Sequence, residues 1–225
     1  MYKRQILIFV GLFSALLFLK AIQQSDLSLT IPLLSFSPMF SSIFSFFFLN
    51  EQLSKIQYFG VFLIIFGALI LYSKKLTLEE FLKSFKIILK NSSAKLMIIV
   101  SIIWSLTPVL DKLCLEHSSV NFHGFIQSLG MIILLIFFFK KDKVQTVNTK
   151  KNWRLILLTV FVGSTATILQ FYAILTNYVP IMESIKRSVG QLSSVFLGKI
   201  FFNEKINKPK VIGVIILSVG VYFIV

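Results

Sequence analysis

Long apolar segments, separated by short polar ones, follow one another along the whole 225-residue chain. Each is close to the length that an α-helix needs to cross the hydrocarbon core of a bilayer, about 20 residues. Because the runs are continuous rather than alternating, they predict helices and not membrane strands. The pattern predicts eight transmembrane helices, at Ile6–Ile22, Ser28–Leu49, Ile56–Ser73, Lys95–Leu115, Val120–Phe139, Trp153–Ala173, Val179–Phe202 and Lys208–Val225.

One polar segment, 74–94, has apolar residues that recur at helical spacing. Leu78, Phe81 and Phe85 lie on one face of the predicted helix, and Lys83 lies towards the other. This pattern is typical of a helix in the membrane interface. We interpret the segment as an amphipathic linker between two halves of the chain, with a lipid sensor or docking site as the alternative.

Two parts of the sequence repeat each other at an offset of 153 residues. The sequence Asn-Glu-Gln-Leu-Ser-Lys at 50–55 matches Asn-Glu-Lys-Ile-Asn-Lys at 203–208. The same offset pairs two glycines of one helix with two of another, Gly60 with Gly213 and Gly67 with Gly220. We expect these glycines to serve close helix packing.

The repeat divides the chain into a first copy of three predicted helices, 6–73, and a second copy of five, 95–225. Since five is odd, two complete copies would run in opposite directions, as in many secondary transporters. The predicted fold is therefore an all-α membrane protein whose eight transmembrane helices belong to a ten-helix, two-fold inverted-repeat fold. The count implies a truncated N-terminus. Residues 1–5 match a translated sequencing adaptor, so we interpret them as a non-native scar.

Composition agrees with a membrane protein, because 14 % of the residues are charged, against about 25 % in soluble domains. The net charge of +14 does not predict a nucleic-acid partner, since the lysines cluster in short loops. If the helices alternate in direction, 17 of the 23 basic residues flank one side. This bias marks the cytoplasmic side. We expect a bacterial inner-membrane protein with its Lys-rich loops in the cytoplasm and Val225 outside.

Several kinds of chemistry find no support in the sequence. Cys114 is the only cysteine, so no intrachain disulfide can form. Neither His117 nor His123 has a metal-ligand partner at useful spacing, and we expect His123 to be a packed polar residue rather than a proton relay. A P-loop and a catalytic constellation are both missing. No metal, no cofactor and no enzymatic activity are predicted.

Three charged residues stand inside one predicted span. Glu183, Lys186 and Arg187 are spaced i, i+3 and i+4, which places them on one helical face. Charges within a membrane are costly and suggest a functional site. With Glu183 paired to one cation, a positive charge remains that could bind a substrate carboxylate or phosphate. Alternatively, both cations extend to the outer interface.

Other polar residues lie nearby in the predicted bundle. Asp111 and Lys112 end a span, and we expect an interfacial ion pair; alternatively Asp111 faces the cavity, where it could carry a proton or balance Arg187. Trp104 lies midway along its span, where a cavity wall and helix packing are equally plausible. We expect Glu51 to be a turn or capping residue.

Matching helices of the two copies contain residues that interrupt helices, Pro32 and Pro38 in the first and Pro180 and Gly190 in the second. Interrupted helices in corresponding positions indicate a binding site between repeats. Four polar residues near these predicted breaks could hydrogen-bond a ligand or a freed carbonyl group, namely Ser35, Ser37, Ser188 and Gln191.

The paired segments Ile31–Leu71 and Ser184–Ile224 resemble the EamA-like branch of the drug/metabolite transporter superfamily. Each has a helix with small and aromatic residues, then Asn-Glu-x-Leu/Ile, then a final helix containing glycine. The resemblance implies ten helices in two inverted repeats around a central cavity, of which this chain has helices three to ten. It also implies transport of amino acids, sugars or other small metabolites. Relatives are thought to keep the C-terminus in the cytoplasm, whereas the lysine distribution places it outside.

These observations predict a secondary transporter that moves a small metabolite by alternating access. The alternative is a non-transporting membrane assembly or lipid-flippase accessory subunit, whose intramembrane charges would pair with partner helices. Expected partners are a small-molecule substrate, the lipid bilayer and a second copy in a homodimer.

Overall fold

The computed structural model describes residues 2–24, 31–71, 73, 91–138, 149–202 and 207–225. Within these ranges the chain forms eight α-helices and one 3-10 helix, and no strand. In chain order they are α1 (Tyr2–Gln23), the 3-10 helix (Ile31–Phe36), α2 (Ser37–Leu49), α3 (Lys55–Leu71), α4 (Ser92–Leu115), α5 (Val120–Phe138), α6 (Thr149–Thr176), α7 (Val179–Phe202) and α8 (Lys208–Ile224). The all-helical prediction is confirmed. The predicted linker lies outside the described residues except for 91–94, where α4 begins.

Four helices of the described chain are long and apolar enough to cross a membrane, and they lie at Arg4–Gln23, Ser92–Leu115, Val120–Phe138 and Asn152–Thr176. Two further apolar helices, Leu33–Leu49 and Lys55–Leu71, are shorter. Large apolar side chains point outward from the bundle; Phe137 on α5 and Phe161 on α6 are 69 % and 70 % exposed. Contiguous apolar surface of this kind marks contact with lipid or with other helices. The prediction of a helical membrane fold is confirmed in part.

The helices α3 and α8 pack against each other along a close antiparallel contact. Both have 17 residues, and the 153-residue offset superposes them from end to end. A Cβ added to Gly60 would lie 2.8 Å from the carbonyl oxygen of Gly220, and one added to Gly67 would lie 3.1 Å from that of Gly213. The 153-residue offset pairs Gly60 with Gly213 and Gly67 with Gly220, so it converts each of these contacts into the other. A two-fold axis between α3 and α8 has the same effect. The close-packing role expected of the glycines is confirmed.

The Asn-Glu motif after α2 ends one helix and prepares the next. Asn50 has φ 55° and ψ 27°, and its main-chain N–H caps α2 at the carbonyl of Ser45. Asparagine tolerates this left-handed conformation better than most residues do. Four residues later, Ser54 and Gln57 exchange hydrogen bonds in a capping box that begins α3, at 2.9 and 3.3 Å.

The helix α4 occupies the centre of the described bundle. Its first half buries Met97 and Val100 against α1 and the 3-10 helix. Its second half buries Val109 against side chains of α5, α6 and α7, among them Phe171. Polar residues on α4 therefore lie between the two halves of the chain.

Candidate functional site

A buried carboxylate on α7 is the centre of the predicted site. Glu183 is fully buried and forms ion pairs with Lys186 and with Arg187, the latter at 3.5 Å from Nη2 to Oε2. Ser37, at the start of α2, donates from Oγ to Glu183 Oε2 at 3.4 Å and accepts from Arg187 Nε at 2.8 Å. The three charged residues share one face of α7, as their spacing predicts, and Ser37 links them to the first half of the chain.

The two cations of this cluster differ in environment. The side chain of Lys186 is 38 % exposed and also donates to Gln170 Oε1 on α6 at 3.3 Å. That of Arg187 is only 16 % exposed, and its guanidinium carbon lies 5.5 Å from the ring centre of Trp104. Arg187 therefore points into the bundle, and the alternative that both cations extend to the interface does not describe it.

Trp104 packs between two helices and also lies beside the charged cluster. Its ring lies beside Arg187, and its Nε1 donates to Ser14 Oγ on α1 at 3.0 Å. Phe18, also on α1, lies 5.0 Å away between ring centres. The indole thus holds α1 against α4 and at the same time forms one wall of the charged cluster. The sequence did not indicate Ser14, whose only signal is a lone hydroxyl in an apolar span.

The hydroxyl groups near α7 fall into two groups. Ser35 is fully buried and accepts from Gln191 Nε2, so it bridges the 3-10 helix and α7. Ser188, by contrast, donates to the carbonyl of Ser184 within its own helix at 2.9 Å. Of the four predicted residues, Ser35, Ser37 and Gln191 connect the two halves, whereas Ser188 does not.

The predicted helix breaks at Pro32 and Pro38 lie at a junction between a 3-10 helix and α2, whereas α7 has no break at Pro180 or Gly190. Pro32 lies within the 3-10 helix, and Pro38 lies in the first turn of α2, where the 3-10 helix gives way to α-helix. Pro180 lies in the first turn of an unbroken α7, a position that tolerates proline because its N–H would have no helical partner. Gly190 lies inside α7 and does not interrupt it, since a single glycine only weakens a helix.

Proline also interrupts the hydrogen bonding of α4 near Trp104. Pro108 lies inside this helix and cannot donate to the carbonyl four residues earlier. The hydroxyl of Thr107 donates to that carbonyl, of Trp104, at 3.1 Å. Such substitution by Ser or Thr is how membrane helices accommodate proline.

Asp111 and Lys112 do not pair with each other, so the expected interfacial ion pair is wrong. Adjacent residues on a helix point in different directions. Asp111 faces inward, buried, with Oδ1 3.0 Å from Nε2 of the buried His123 on α5. The prediction that His123 is a packed polar residue agrees with its burial.

Lys112 belongs to a second network at the ends of the helices. Its Nζ donates to Glu51 Oε1 at 2.6 Å and to the carbonyl of Asn177 at 2.8 Å. Glu51 Oε2 accepts the main-chain N–H of Val179 at 2.9 Å. Glu51 is thus a capping residue as expected, but it caps α7 rather than a neighbouring helix.

A cleft of about 580 Å³ lies between α5 and α6, away from the Glu183 cluster. Its walls are partly polar, with contributions from Asn121, Ser128 and Thr167. The ring of Phe171 also lines it. No cluster of three or more His, Cys, Asp or Glu that could hold a metal occurs in the described ranges.

Comparison with known proteins supports a transporter fold. No curated protein matches the sequence. A solved structure described only as "Crystal structure of protein" aligns with a TM-score of 0.73 at 15 % identity, covering 99 % of this chain and 76 % of that chain. At this identity the likeness shows the fold alone. The profile of the EamA-like transporter family matches residues 3–73 and 91–225. The chain belongs to the EamA-like transporter family.

Proposed function

We propose that this protein is a secondary transporter that moves a small anionic metabolite across the bacterial inner membrane by alternating access. The observation that carries the proposal is the partly buried Arg187, held between Glu183, Ser37 and Trp104. Lys186 and Arg187 outnumber the single carboxylate of Glu183, so the cluster has a net positive charge. A substrate carboxylate or phosphate would be attracted to it, and Arg187 could bind such a group in a bidentate manner.

The architecture of the site suits alternating access. Ser35 and Ser37 come from the first half of the chain, whereas Gln191 and Arg187 come from the second. A ligand between them would bind both halves at once. We assign residues 6–73 to a first repeat and 95–225 to a second, within a ten-helix inverted-repeat plan. The proposal also includes eight transmembrane spans and Lys-rich loops in the cytoplasm. The reciprocal glycine contacts of α3 and α8 support the inverted-repeat plan.

The test is solute flux into proteoliposomes that contain the purified protein. Radiolabelled carboxylates, sugar phosphates, amino acids and neutral sugars are compared. Arg187→Ala should abolish flux of an anionic solute, and Arg187→Lys should retain only a part of it, because lysine keeps the charge but loses the planar fork. Lys199→Ala, at an exposed cation of the same helix, is the matched control. Equal flux in Arg187→Ala and the control would refute the site.

A second candidate is a non-transporting membrane assembly or flippase-accessory subunit. The exposed apolar faces of α5 and α6 favour it, because partner helices, or a second copy in a homodimer, could cover them. Such a subunit would show no flux for any solute and would co-purify with a stable helical partner in mild detergent. The transporter should instead show flux when it is the only protein in the vesicle.

A further inference from the structure

The structure contains a buried acid–base pair that the anion-binding cluster does not use. Asp111 on α4 and His123 on α5 are 3 % and 1 % exposed, and Oδ1 of the first lies 3.0 Å from Nε2 of the second. An ionised carboxylate can only accept hydrogen bonds, so Nε2 carries the hydrogen when Asp111 is charged. The neutral imidazole then has a lone pair at Nδ1.

That Nδ1 is buried and has no hydrogen-bond partner among the described residues. Leaving a buried polar atom unpaired is costly, by about 1–3 kcal/mol in proteins. Protonation at Nδ1 would convert the pair into an imidazolium and a carboxylate in contact. Histidine is the side chain suited to this exchange, because it changes charge between about pH 5 and 8.

We infer that His123 and Asp111 form a proton-binding site that couples proton movement to movement of the anionic substrate. The inference rests on the proposed function, and it names the coupling ion. The site takes up one proton at His123 Nδ1 and releases the same proton on the other side of the membrane. No bond other than this N–H bond forms or breaks.

The charges around the pair explain why proton and anion would bind together. With His123 neutral, Asp111 and Glu183 balance Lys186 and Arg187, so the polar interior has no net charge. With His123 protonated the interior has one positive charge, which favours a bound anion. Proton and anion would therefore travel in the same direction.

In the described part of the chain, the other helices that pack against Asp111 and His123 contribute no further carboxylate or amine group. Phe171 of α6 presents its edge to the imidazole, with ring centres 5.0 Å apart. On α1, Arg4 lies over the ring of Phe122, next to His123, at 5.1 Å. Its guanidinium therefore contacts a neighbour of His123 in the sequence and not the imidazole itself.

A partly polar cleft lies on the far side of a residue that contacts the imidazole. Phe171 contacts His123 on one side and lines the α5–α6 cleft on the other. The cleft also has hydroxyl groups, including those of Ser128 and Thr167, and its volume exceeds that of several waters. A small movement of Phe171 would connect His123 with that cleft.

The first test observes the proton directly and requires no substrate. The chain has two histidines, so in protein labelled with 15N-histidine the His117→Gln variant leaves one imidazole signal to follow by NMR. His117 lies exposed in the turn between α4 and α5, which makes this change a neutral one. The His123 signal should titrate reversibly, and Asp111→Asn should weaken its proton uptake about tenfold or more. A signal that stays neutral throughout, or that Asp111→Asn leaves unchanged, would overturn the inference.

The second test measures proton movement with solute movement. Proteoliposomes containing the pH dye pyranine receive each solute for which the unmodified protein shows flux. Inward flux should acidify the lumen, and His123→Gln should reduce acidification per transported solute at least about tenfold, with His117→Gln as the control. Flux without acidification in the unmodified protein would refute proton coupling while leaving the transporter proposal intact. Absence of all flux would refute the transporter, and the NMR titration would still decide whether His123 binds a proton.

Discussion

Glu51 accepts the main-chain N–H of Val179 at 2.9 Å, across 128 residues of sequence. Its other carboxylate oxygen accepts from Lys112, so one side chain connects the loop before α3, the end of α4 and the start of α7. A carboxylate at a helix N-terminus also interacts favourably with the helix dipole. The network lies at the end of the bundle with few lysines, and it holds both halves of the chain together there.

Removing the charge of Glu51 should loosen this end of the bundle. We expect Glu51→Gln to destabilise the protein by about 1–3 kcal/mol, because a buried charge-assisted hydrogen bond to Lys112 is lost. The measurement is thermal unfolding in detergent, with the exposed Glu116→Gln as control. A double-mutant cycle with Lys112→Met should give a coupling energy of about 1 kcal/mol or more. Additive effects of the two changes would contradict a direct interaction.

The contact between α3 and α8 should not tolerate a single methyl group. A Cβ at Gly60 would meet main-chain atoms, the carbonyl oxygen of Gly220 at 2.8 Å and the nitrogen of Ile224 at 3.2 Å. We expect Gly60→Ala to cost about 1–3 kcal/mol, since the backbones must separate. Gly163→Ala is the matched control, because a Cβ at that position meets nothing within 4 Å. Equal melting temperatures for the two variants would show that α3 and α8 do not pack this closely.

Two serines near α7 should respond differently to the same change. The hydroxyl of Ser37 links Arg187 to the first half of the chain, whereas that of Ser188 bonds within its own helix. We expect Ser37→Ala to weaken binding of the transported anion about tenfold, corresponding to roughly 1.4 kcal/mol. Ser188→Ala should leave it nearly unchanged. Concentration dependence of flux in proteoliposomes measures both, and equal effects would argue against Ser37 as a positioning residue.

The orientation predicted from lysines can be tested by cysteine labelling. Cys114 is buried, and in a Cys114→Ala background we expect Ser119→Cys, at the end with few lysines, to react with an impermeant maleimide in intact cells. Lys143→Cys, in a Lys-rich loop, should react only after the membrane is permeabilised. The reverse pattern would place the Lys-rich loops outside, contrary to the distribution of basic residues.

Residue spacing identified the charged cluster because it depends on a local property, the periodicity of one helix. Glu183, Lys186 and Arg187 share a face wherever α7 lies. The partners of these residues could not be derived in this way. Ser37 and Trp104 reach Arg187 through the packing of α2 and α4 on α7, and nothing in their sequence separation indicates that contact.

The internal repeat does not indicate where the charged residues of the site lie. The 153-residue offset pairs Arg187 with Leu34, and Leu34 is buried in an apolar cluster with Met97. Likewise it pairs the interrupted 3-10 helix and α2 with an unbroken α7. The repeat therefore predicts the equivalence of α3 and α8, whereas the interrupted helix and the Glu183 cluster each belong to one copy only.

The sequence by itself determined the helices, their membrane character and the family, because apolar length, glycine spacing and turn motifs act locally along the chain. It also determined that α3 and α8 are equivalent. Only the tertiary structure decided which buried charges meet. Asp111 pairs with His123 rather than Lys112, and Lys112 pairs with Glu51. The reason is physical: adjacent residues on a helix point in different directions, so Asp111 and Lys112 find their partners on different elements.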